Sequence, residues 1–406
     1  MKRTDRRLTG LLGAWCATRP VLLLLVLGVL ALPGVDVTTD VSVIYRGWYE
    51  VLRQGTFPLD DVTWQYPPAA ALAMLAPAAL PFLSYPHAFF ALVCLADLAV
   101  LALLGRAGTR PGRSLRGAWA WVAGVPLLGP TVYARYDLMV TAVAVAALLA
   151  GARRPRLMGT LAAFGALLKV WPALLLAAAA RRAWAAAAVT AAGLAALSAA
   201  AAPGAFAFLA HQRDRGTEVE SLGALVFHVA RHFGWPGRVL LNYGSVEFLG
   251  PGVALVSGAA MALTGAALGW LVLWRLRAAR PAPHTLADAA FTAVLLFTVT
   301  SRVISPQYLV WLVGLAGVCL CLRTSRMTAP AVLLLAACPL TVLEFPVGFE
   351  HVVASDARGV LLLLLRDGLL LAAALVAARA LWRSTAPAAA APSGPRPAPA
   401  REPSVR

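Results

Sequence analysis

An aspartate close to the end of the first long apolar run is the first residue whose position suggests chemistry. Asp40 lies in the stretch TTDVSVIYRGWYE, residues 38–50. A carboxylate next to a membrane-length segment is costly unless it has a partner or a task. Two interpretations are open. Asp40 is a helix N-cap, as Thr38 and Thr39 could also be, or it is a general base placed where a membrane-borne substrate meets water.

Basic residues near predicted membrane depth are candidates for holding an anionic phosphate. Arg302, in TSRVISPQY, suits bidentate phosphate binding, although an arginine there could also simply snorkel to the interface. Lys169 lies inside an apolar segment, where a lysine either serves function or pairs with a structural acid such as Asp137. Arg213 and Arg215 could contact phosphate or anionic lipid, or remain solvated loop charges.

Polar and aromatic residues near these positions could form a substrate pocket. Aromatic rings pack on the C–H faces of sugars, but Trp and Tyr are enriched at membrane interfaces in any case. Arg135 and Asp137 in ARYDL could contact substrate or pair with each other to fix a hairpin, and a lone His211 is more often structural. The candidate pocket residues are Tyr45, Tyr66, Arg135, Asp137, His211, Glu220, Gln307 and Tyr308.

Composition restricts the class of protein. Of the 406 residues, 60% are hydrophobic and 13% are charged, whereas a soluble domain carries about a quarter charged residues. The chain is therefore predicted to be a polytopic membrane protein. Its net charge of +17 comes mainly from short loops, as the positive-inside rule requires, so we expect no nucleic-acid partner. His228 and His232 lack a third ligand at helical spacing, and we expect no metal.

The apolar pattern predicts ten full crossings and one broken hairpin, with both chain ends cytoplasmic. The hairpin, about 157–180, breaks at KVWP because Pro172 lacks an amide donor and disfavours helix at the preceding residue. Broken backbone at membrane depth is tolerated where it lines a cavity. The predicted crossings are 18–34, 86–105, 118–134, 138–152, 183–201, 251–275, 285–303, 306–322, 329–344 and 359–381.

Two larger outer loops, about 35–85 and 203–250, separate these crossings. Most of the 18 Asp and Glu residues fall on the predicted outer side, which indicates chemistry at the extracytoplasmic face. Residues 1–383 are predicted to form one transmembrane domain. The Pro/Ala-rich residues 384–406 are predicted to be a disordered cytoplasmic tail.

Six short strings occur in order along most of the chain. They are an outer-loop Asp followed by a Tyr (DVSVIY, 40–45), WQYPP (64–68), YARYDL (133–138), LLKVWP (167–172), HQRDRGTEVESL (211–222) and SRVISPQYLVWL (301–312). Together they resemble glycosyltransferase family 87, membrane mannosyltransferases of the GT-C fold. That family includes polyprenol-phosphate-mannose-dependent enzymes that elongate phosphatidylinositol mannosides.

The resemblance implies an all-α integral membrane protein, a GT-C-type multi-spanning helical bundle with two larger extracytoplasmic loops. It implies transfer of a mannosyl or related residue from a polyprenyl-phosphate sugar donor to a lipid-linked or cell-envelope glycan acceptor, among membrane lipids and without a cofactor. Asp40 would be the general base, and Arg302, Lys169 and Arg215 would bind the donor phosphate. A single displacement needs one base and positive charge for the leaving phosphate, and it inverts the anomeric centre. It does not need the paired carboxylates of glycosidases.

Two other classes of protein remain open. A secondary transporter would also have many spans, a broken hairpin and an intramembrane Lys169, but it should have pseudo-symmetric halves. A non-catalytic membrane scaffold explains the ordered strings least well. A transferase should have a single cavity covered by the outer loops, with Asp40 in its wall. Asp60 or Asp61 could take the place of Asp40.

Overall fold

The computed structural model describes residues 2–213 and 215–386. The predicted tail from residue 387 onward lies outside the described residues, and so do Asp214 and the side chains of residues 2–6, His211 and Arg213. The chain is mostly helical, as predicted.

Sixteen α-helices are numbered in chain order within the described part of the chain. They are α1 Lys2–Val26, α2 Arg46–Leu52, α3 Ala70–Leu75, α4 Tyr85–Gly108, α5 Arg116–Leu127, α6 Asp137–Gly151, α7 Pro155–Leu168, α8 Arg181–Ala201, α9 Phe208–Arg213, α10 Leu225–Arg231, α11 Val253–Arg277, α12 Thr285–Thr300, α13 Tyr308–Leu320, α14 Thr328–Val342, α15 Phe349–Ala354 and α16 Ala357–Thr385.

Among the residues that the structure describes, six helices are long and apolar enough to cross a membrane, which makes the chain a multi-pass membrane protein by helix length and composition. Their spans are Arg7–Val26, Tyr85–Gly108, Arg181–Ala201, Val253–Arg277, Thr328–Val347 and Ala357–Thr385. The last continues to Thr385, so residues 384 and 385 belong to a helix and not to the predicted tail.

The other four predicted crossings are shorter helices than expected. Helices α5, α6, α12 and α13 have 12, 15, 16 and 13 residues, fewer than the about 20 that a full crossing needs. Gly129 at positive φ followed by Pro130 separates the first pair, and the extended Ser301 followed by Pro306 separates the second. The prediction of ten full-length crossings was therefore wrong, because these four helices are too short.

The first span also lies earlier than predicted. Its helix begins in the basic N-terminal segment and ends at Val26, so the predicted span 18–34 was displaced toward the C-terminus. Gly28 adopts a positive φ of 71° just after the helix, the conformation that commonly ends helices. The apolar residues that follow it form turns.

The predicted broken hairpin is confirmed. Helix α7 ends at Leu168, Lys169 is extended with φ −160° and ψ 128°, and a 3-10 helix covers Trp171–Ala178. Proline at the second position of that 3-10 helix needs no amide partner there. The break therefore places Lys169 between the end of α7 and the 3-10 helix, where its ammonium group contacts Asp137.

The core centres on α13, which packs against α5, α6, α12 and α14. Helices α5 and α13 approach so closely that a Cβ added to Gly117 would lie 1.9 Å from the Gly317 carbonyl oxygen. Only glycine permits this approach, which lets two backbones pack with small residues between them.

The second outer loop contains a small antiparallel sheet that the all-helical prediction did not include. Strands β1 (Thr217–Glu218), β2 (Arg238–Asn242) and β3 (Ser245–Leu249) have the order β1-β3-β2. Tyr243 and Gly244 both have positive φ, as a two-residue hairpin turn requires. The sheet places Glu218 opposite Glu247.

Candidate active site

A cavity of about 680 Å³ lies between the two outer loops and the segment that joins α12 to α13. Both outer loops and the α12–α13 connection contribute to its lining, as does the helix break at Lys169. Most of the residues predicted from the sequence meet here. Those in the lining are Asp40, Tyr45, Tyr66, Arg135, Lys169, Arg215, Glu220, Arg302, Gln307 and Tyr308.

Asp40 lies in the cavity wall and pairs with an arginine. It is the first residue of a π-helix, Asp40–Tyr45, and its side chain caps no helix. Its Oδ2 lies 2.9 Å from Arg135 Nη2, and Arg135 Nη1 donates to the carbonyl oxygens of Val37 and Ala134. The capping interpretation is therefore not observed. A direct Arg135–Asp137 pair was wrong, because each of the two residues has another partner.

Asp137 pairs with Lys169 below the cavity wall. Lys169 Nζ lies 2.7 Å from Asp137 Oδ1, and Trp311 Nε1 donates to the same oxygen at 2.6 Å. Asp137 is fully buried and does not line the cavity, contrary to its prediction as a pocket residue. Helix packing covers it, so the structural alternative for Lys169 is the one observed.

Four aromatic rings surround the ammonium group of Lys169. Its Nζ lies between 5.1 and 5.4 Å from the ring centroids of Tyr66, Tyr136, Tyr308 and Trp311. Rings at this distance stabilise a cation through their quadrupoles. Asp137 thus neutralises the charge of Lys169, and aromatic rings enclose its ammonium group. Lys169 therefore holds these side chains together in the cavity wall and has no unpaired charge to offer a ligand.

Arg302 fastens the second outer loop to the cavity. Its guanidinium donates to the carbonyl oxygens of Arg215, at 2.7 Å, and Gln212, and to the Ser257 hydroxyl at 3.3 Å. All these partners are neutral. Burial, and then the neighbouring Arg215, lower the pKa of Arg302, but an arginine remains charged at any physiological pH.

Glu218, in the second outer loop, contacts the segment that joins α12 to α13. The sequence did not reveal this connection. Its Oε2 accepts from the Ile304 amide at 2.7 Å, and its Oε1 accepts from the Ser305 hydroxyl at 2.9 Å. Glu218 lines the cavity, and the spacing of Glu218 and Glu220 in TEVE offered no signal to separate their roles. Only their partners distinguish them.

Arg215 reaches the cavity from the same loop. Its Nε lies 3.2 Å from Glu247 Oε1, and its Nη2 donates to the Ser245 hydroxyl at 2.7 Å. The β1–β3 pairing brings Glu247 into this position. Arg215 therefore holds the hairpin in place, and its charge is balanced within the loop.

Aromatic side chains form much of the remaining wall. Tyr308 and Trp311 stack with ring centroids 4.0 Å apart, and Trp171 stacks on Trp311 at 5.0 Å. Burial raises the pKa of Tyr45 and of Tyr66, so both phenols stay protonated at neutral pH. Trp171 was missed because it appeared only as the residue before Pro172.

Asp60 and Asp61 do not line the cavity. Asp61 accepts hydrogen bonds from Trp48 Nε1 at 2.8 Å and from the Thr63 amide at 2.9 Å, and Asp60 is exposed. Neither residue therefore lies where it could replace Asp40 in the cavity wall. The predicted contact of His211 concerns a side chain outside the described residues.

The fold and the cavity define a multi-pass helical membrane protein with a polar, aromatic-lined site covered by its two large loops. The model of glycosyltransferase family 87 matches residues 64–306, more than half of the chain. The chain therefore belongs to glycosyltransferase family 87, a family of GT-C membrane glycosyltransferases. No curated protein and no solved structure matches it. Family membership favours a transferase, with a sugar donor and an acceptor, over a transporter or a scaffold.

Proposed function

We propose that this glycosyltransferase moves a mannosyl or related residue from a polyprenyl-monophosphate donor to a lipid-linked or cell-envelope glycan acceptor. The reaction takes place on the extracytoplasmic face of the cell membrane and inverts the anomeric centre. The observation that carries the proposal is the Asp40 carboxylate, which lies in the cavity wall and is oriented by Arg135 at 2.9 Å.

Asp40 suits the role of general base. Arg135 holds its Oδ2, whereas its Oδ1 accepts no hydrogen bond from the residues that the structure describes. The Asp40 side chain is 33% exposed, so an acceptor hydroxyl can reach Oδ1. As the hydroxyl oxygen attacks the anomeric carbon, its proton passes to Asp40 and the sugar–phosphate bond breaks.

The electron pair of that bond leaves with the phosphate, which gains negative charge. Among the described basic residues in the lining, Arg135, Lys169 and Arg215 each form an ion pair. Within the part of the chain that the structure describes, Arg302 hydrogen-bonds only to neutral groups. This lack of an ion pair among the described residues supports Arg302 as the group that stabilises the departing phosphate.

No metal or cofactor enters the proposal, since polyprenyl phosphate is a good leaving group that needs no general acid. The resemblance to the family likewise implies no obligatory metal. The aromatic wall around Tyr66 and Tyr308 suits a sugar ring. Mannose and arabinose remain alternatives for the transferred sugar, and the test below separates them.

The test compares membranes that contain the wild type, Asp40→Asn or Asp60→Asn, each supplied with radiolabelled polyprenyl-phosphate-mannose or its arabinose counterpart. Label transfer into lipid-extractable glycans is measured at matched expression. Wild type and Asp60→Asn should transfer label from one donor. Asp40→Asn should lose about 10²-fold or more, the usual contribution of a positioned base. Undiminished transfer by Asp40→Asn would remove Asp40 from the mechanism.

A further inference from the structure

A buried cluster of ionisable side chains lies behind the cavity wall and is not used by the proposed reaction. Arg366 Nη1 lies 2.7 Å from Glu344 Oε2, and Arg366 Nε lies 2.9 Å from Asp367 Oδ1. Glu220 is the third carboxyl group, with its Oε1 3.8 Å from Arg366 Nη1. Their side chains are between 0 and 6% exposed.

The charges in this cluster do not balance if every group is ionised. Three carboxylates around one guanidinium would leave two uncompensated negative charges in a buried site, which is strongly unfavourable. At least one carboxyl group must therefore hold a proton. Two carboxylates that share a site cannot both ionise at their ordinary pKa.

The geometry indicates which carboxyl group holds the proton. Glu220 Oε1 has no hydrogen-bond partner among the described residues, so no hydrogen bond stabilises a negative charge on this oxygen. Arg366 is close to Glu344 and Asp367 but farther from Glu220. Arg366 therefore favours a negative charge on Glu344 and Asp367 over one on Glu220, and Glu220 is the carboxyl group that we infer holds the proton.

Glu220 is also the member of this cluster that lines the cavity. Burial raises its pKa well above the ordinary value, and Glu344 and Glu218 raise it further, while Arg366 opposes them. Glu218, on β1, has both oxygens occupied by Ile304 and Ser305. Arg302, which forms no ion pair with the described residues, lies in the same wall, so a neutral Glu220 leaves this wall able to accept an anion.

We propose that Glu220 is kept neutral by the Arg366–Glu344–Asp367 cluster and that this neutral state admits the anionic phosphate of the donor. This inference rests on the proposed function, because it takes a phosphodiester as the ligand. Once Glu220 loses its proton, the new negative charge repels the phosphate. Glu220 is therefore a binding residue for the donor whose charge sets the upper end of the working pH range.

The test measures KM for the polyprenyl-phosphate sugar and for the acceptor separately, as a function of pH. A phosphodiester keeps one negative charge over this range, so a change in donor KM reports on the protein. Wild-type donor KM should rise by about tenfold per pH unit above the pKa of Glu220, with acceptor KM unaffected. In Glu220→Gln, which cannot ionise, this alkaline rise should disappear. Glu50→Gln, a change at an exposed carboxyl group outside the cavity, should retain it.

A second variant keeps the test decisive if Glu220→Gln does not fold. Glu344→Gln removes the negative charge that favours protonated Glu220, so the rise in donor KM should move to lower pH by about one unit or more. A wild-type-like rise in Glu220→Gln, a rise in acceptor KM instead, or an unshifted rise in Glu344→Gln would overturn the inference. Transfer that survives in Asp40→Asn contradicts the proposed base but leaves the donor KM profile to be judged separately.

Discussion

Glu218 and Arg302 join the second outer loop to the α12–α13 connection at the cavity. The Glu218 amide donates to the Arg302 carbonyl oxygen at 3.0 Å, and the Arg302 guanidinium donates to the carbonyl oxygens of Gln212 and Arg215. The Glu218 carboxylate in turn accepts from Ile304 and Ser305. The second outer loop is therefore fixed to the α12–α13 connection by the same arginine that is proposed to face the phosphate.

Replacing Arg302 by lysine separates charge from geometry. Lysine keeps the positive charge but lacks the planar fork that reaches two carbonyl groups. Hydrogen bonds to charged groups are worth about 1.5–3 kcal/mol, so kcat/KM for the donor should fall by about tenfold to a hundredfold. Glu218→Gln is the matched comparison, because it weakens the same attachment without touching a cation. Equal donor KM values in the two variants would mean that Arg302 acts only through the loop.

Arg135 is predicted to act by positioning Asp40. Arg135→Gln removes the 2.9 Å ion pair, which frees the carboxylate to rotate. Misplacement of a catalytic group by about 1 Å costs about 10² in rate, so kcat should fall while donor KM changes little. Arg53→Gln, at an exposed arginine outside the cavity, serves as the control. A change confined to donor KM would instead make Arg135 a phosphate ligand.

The Lys169–Asp137 pair should behave as a buried unit. Removing one partner, in Lys169→Met or Asp137→Asn, leaves the other charge or its hydrogen bonds unmatched and should cost about 3–5 kcal/mol of stability. The double variant should regain part of this loss because no charge remains. Thermal unfolding of the detergent-solubilised protein measures the three variants against wild type. Additive losses in the double variant would show that the two residues are not coupled.

We predict from the burial of His228 that the stability of the second outer loop depends on pH. Its Nδ1 lies 2.7 Å from the Ser355 hydroxyl and its Nε2 lies 2.8 Å from the Val219 carbonyl oxygen. Burial lowers the pKa of His228, so the unfolded loop binds the proton more readily than the folded one. Stability is therefore complete above the ordinary histidine pKa and is lost as the pH falls from there toward the lowered value.

Hydrogen exchange of residues 219–231 measures this effect. Wild-type protection should fall between about pH 6.5 and the lower folded pKa. His228→Gln keeps a neutral side chain with a donor and an acceptor, so it should flatten the change, although its protection at neutral pH should be lower. Equal pH dependence in both proteins would assign the titration to another group.

Much of this protein could be predicted from the sequence, because membrane helices and short motifs are local features. Apolar length identified the long spans, and Pro172 located the break in the hairpin, where helix could not continue. The resemblance carried by the six strings predicted that Asp40, Tyr66 and Arg302 belong to one site, and all three line the cavity. For the spans and for the break, the residues near a position in the chain decided its structure.

The partners of the charged residues were decided only by the tertiary structure. Arg135 and Asp137 lie two positions apart, yet one pairs with Asp40 and the other with Lys169. Glu218 and Glu220 alternate in one strand and turn, yet one accepts from the α12–α13 connection and the other joins Arg366. Ion pairs form between side chains that packing brings within a few ångströms, and sequence spacing does not contain that distance.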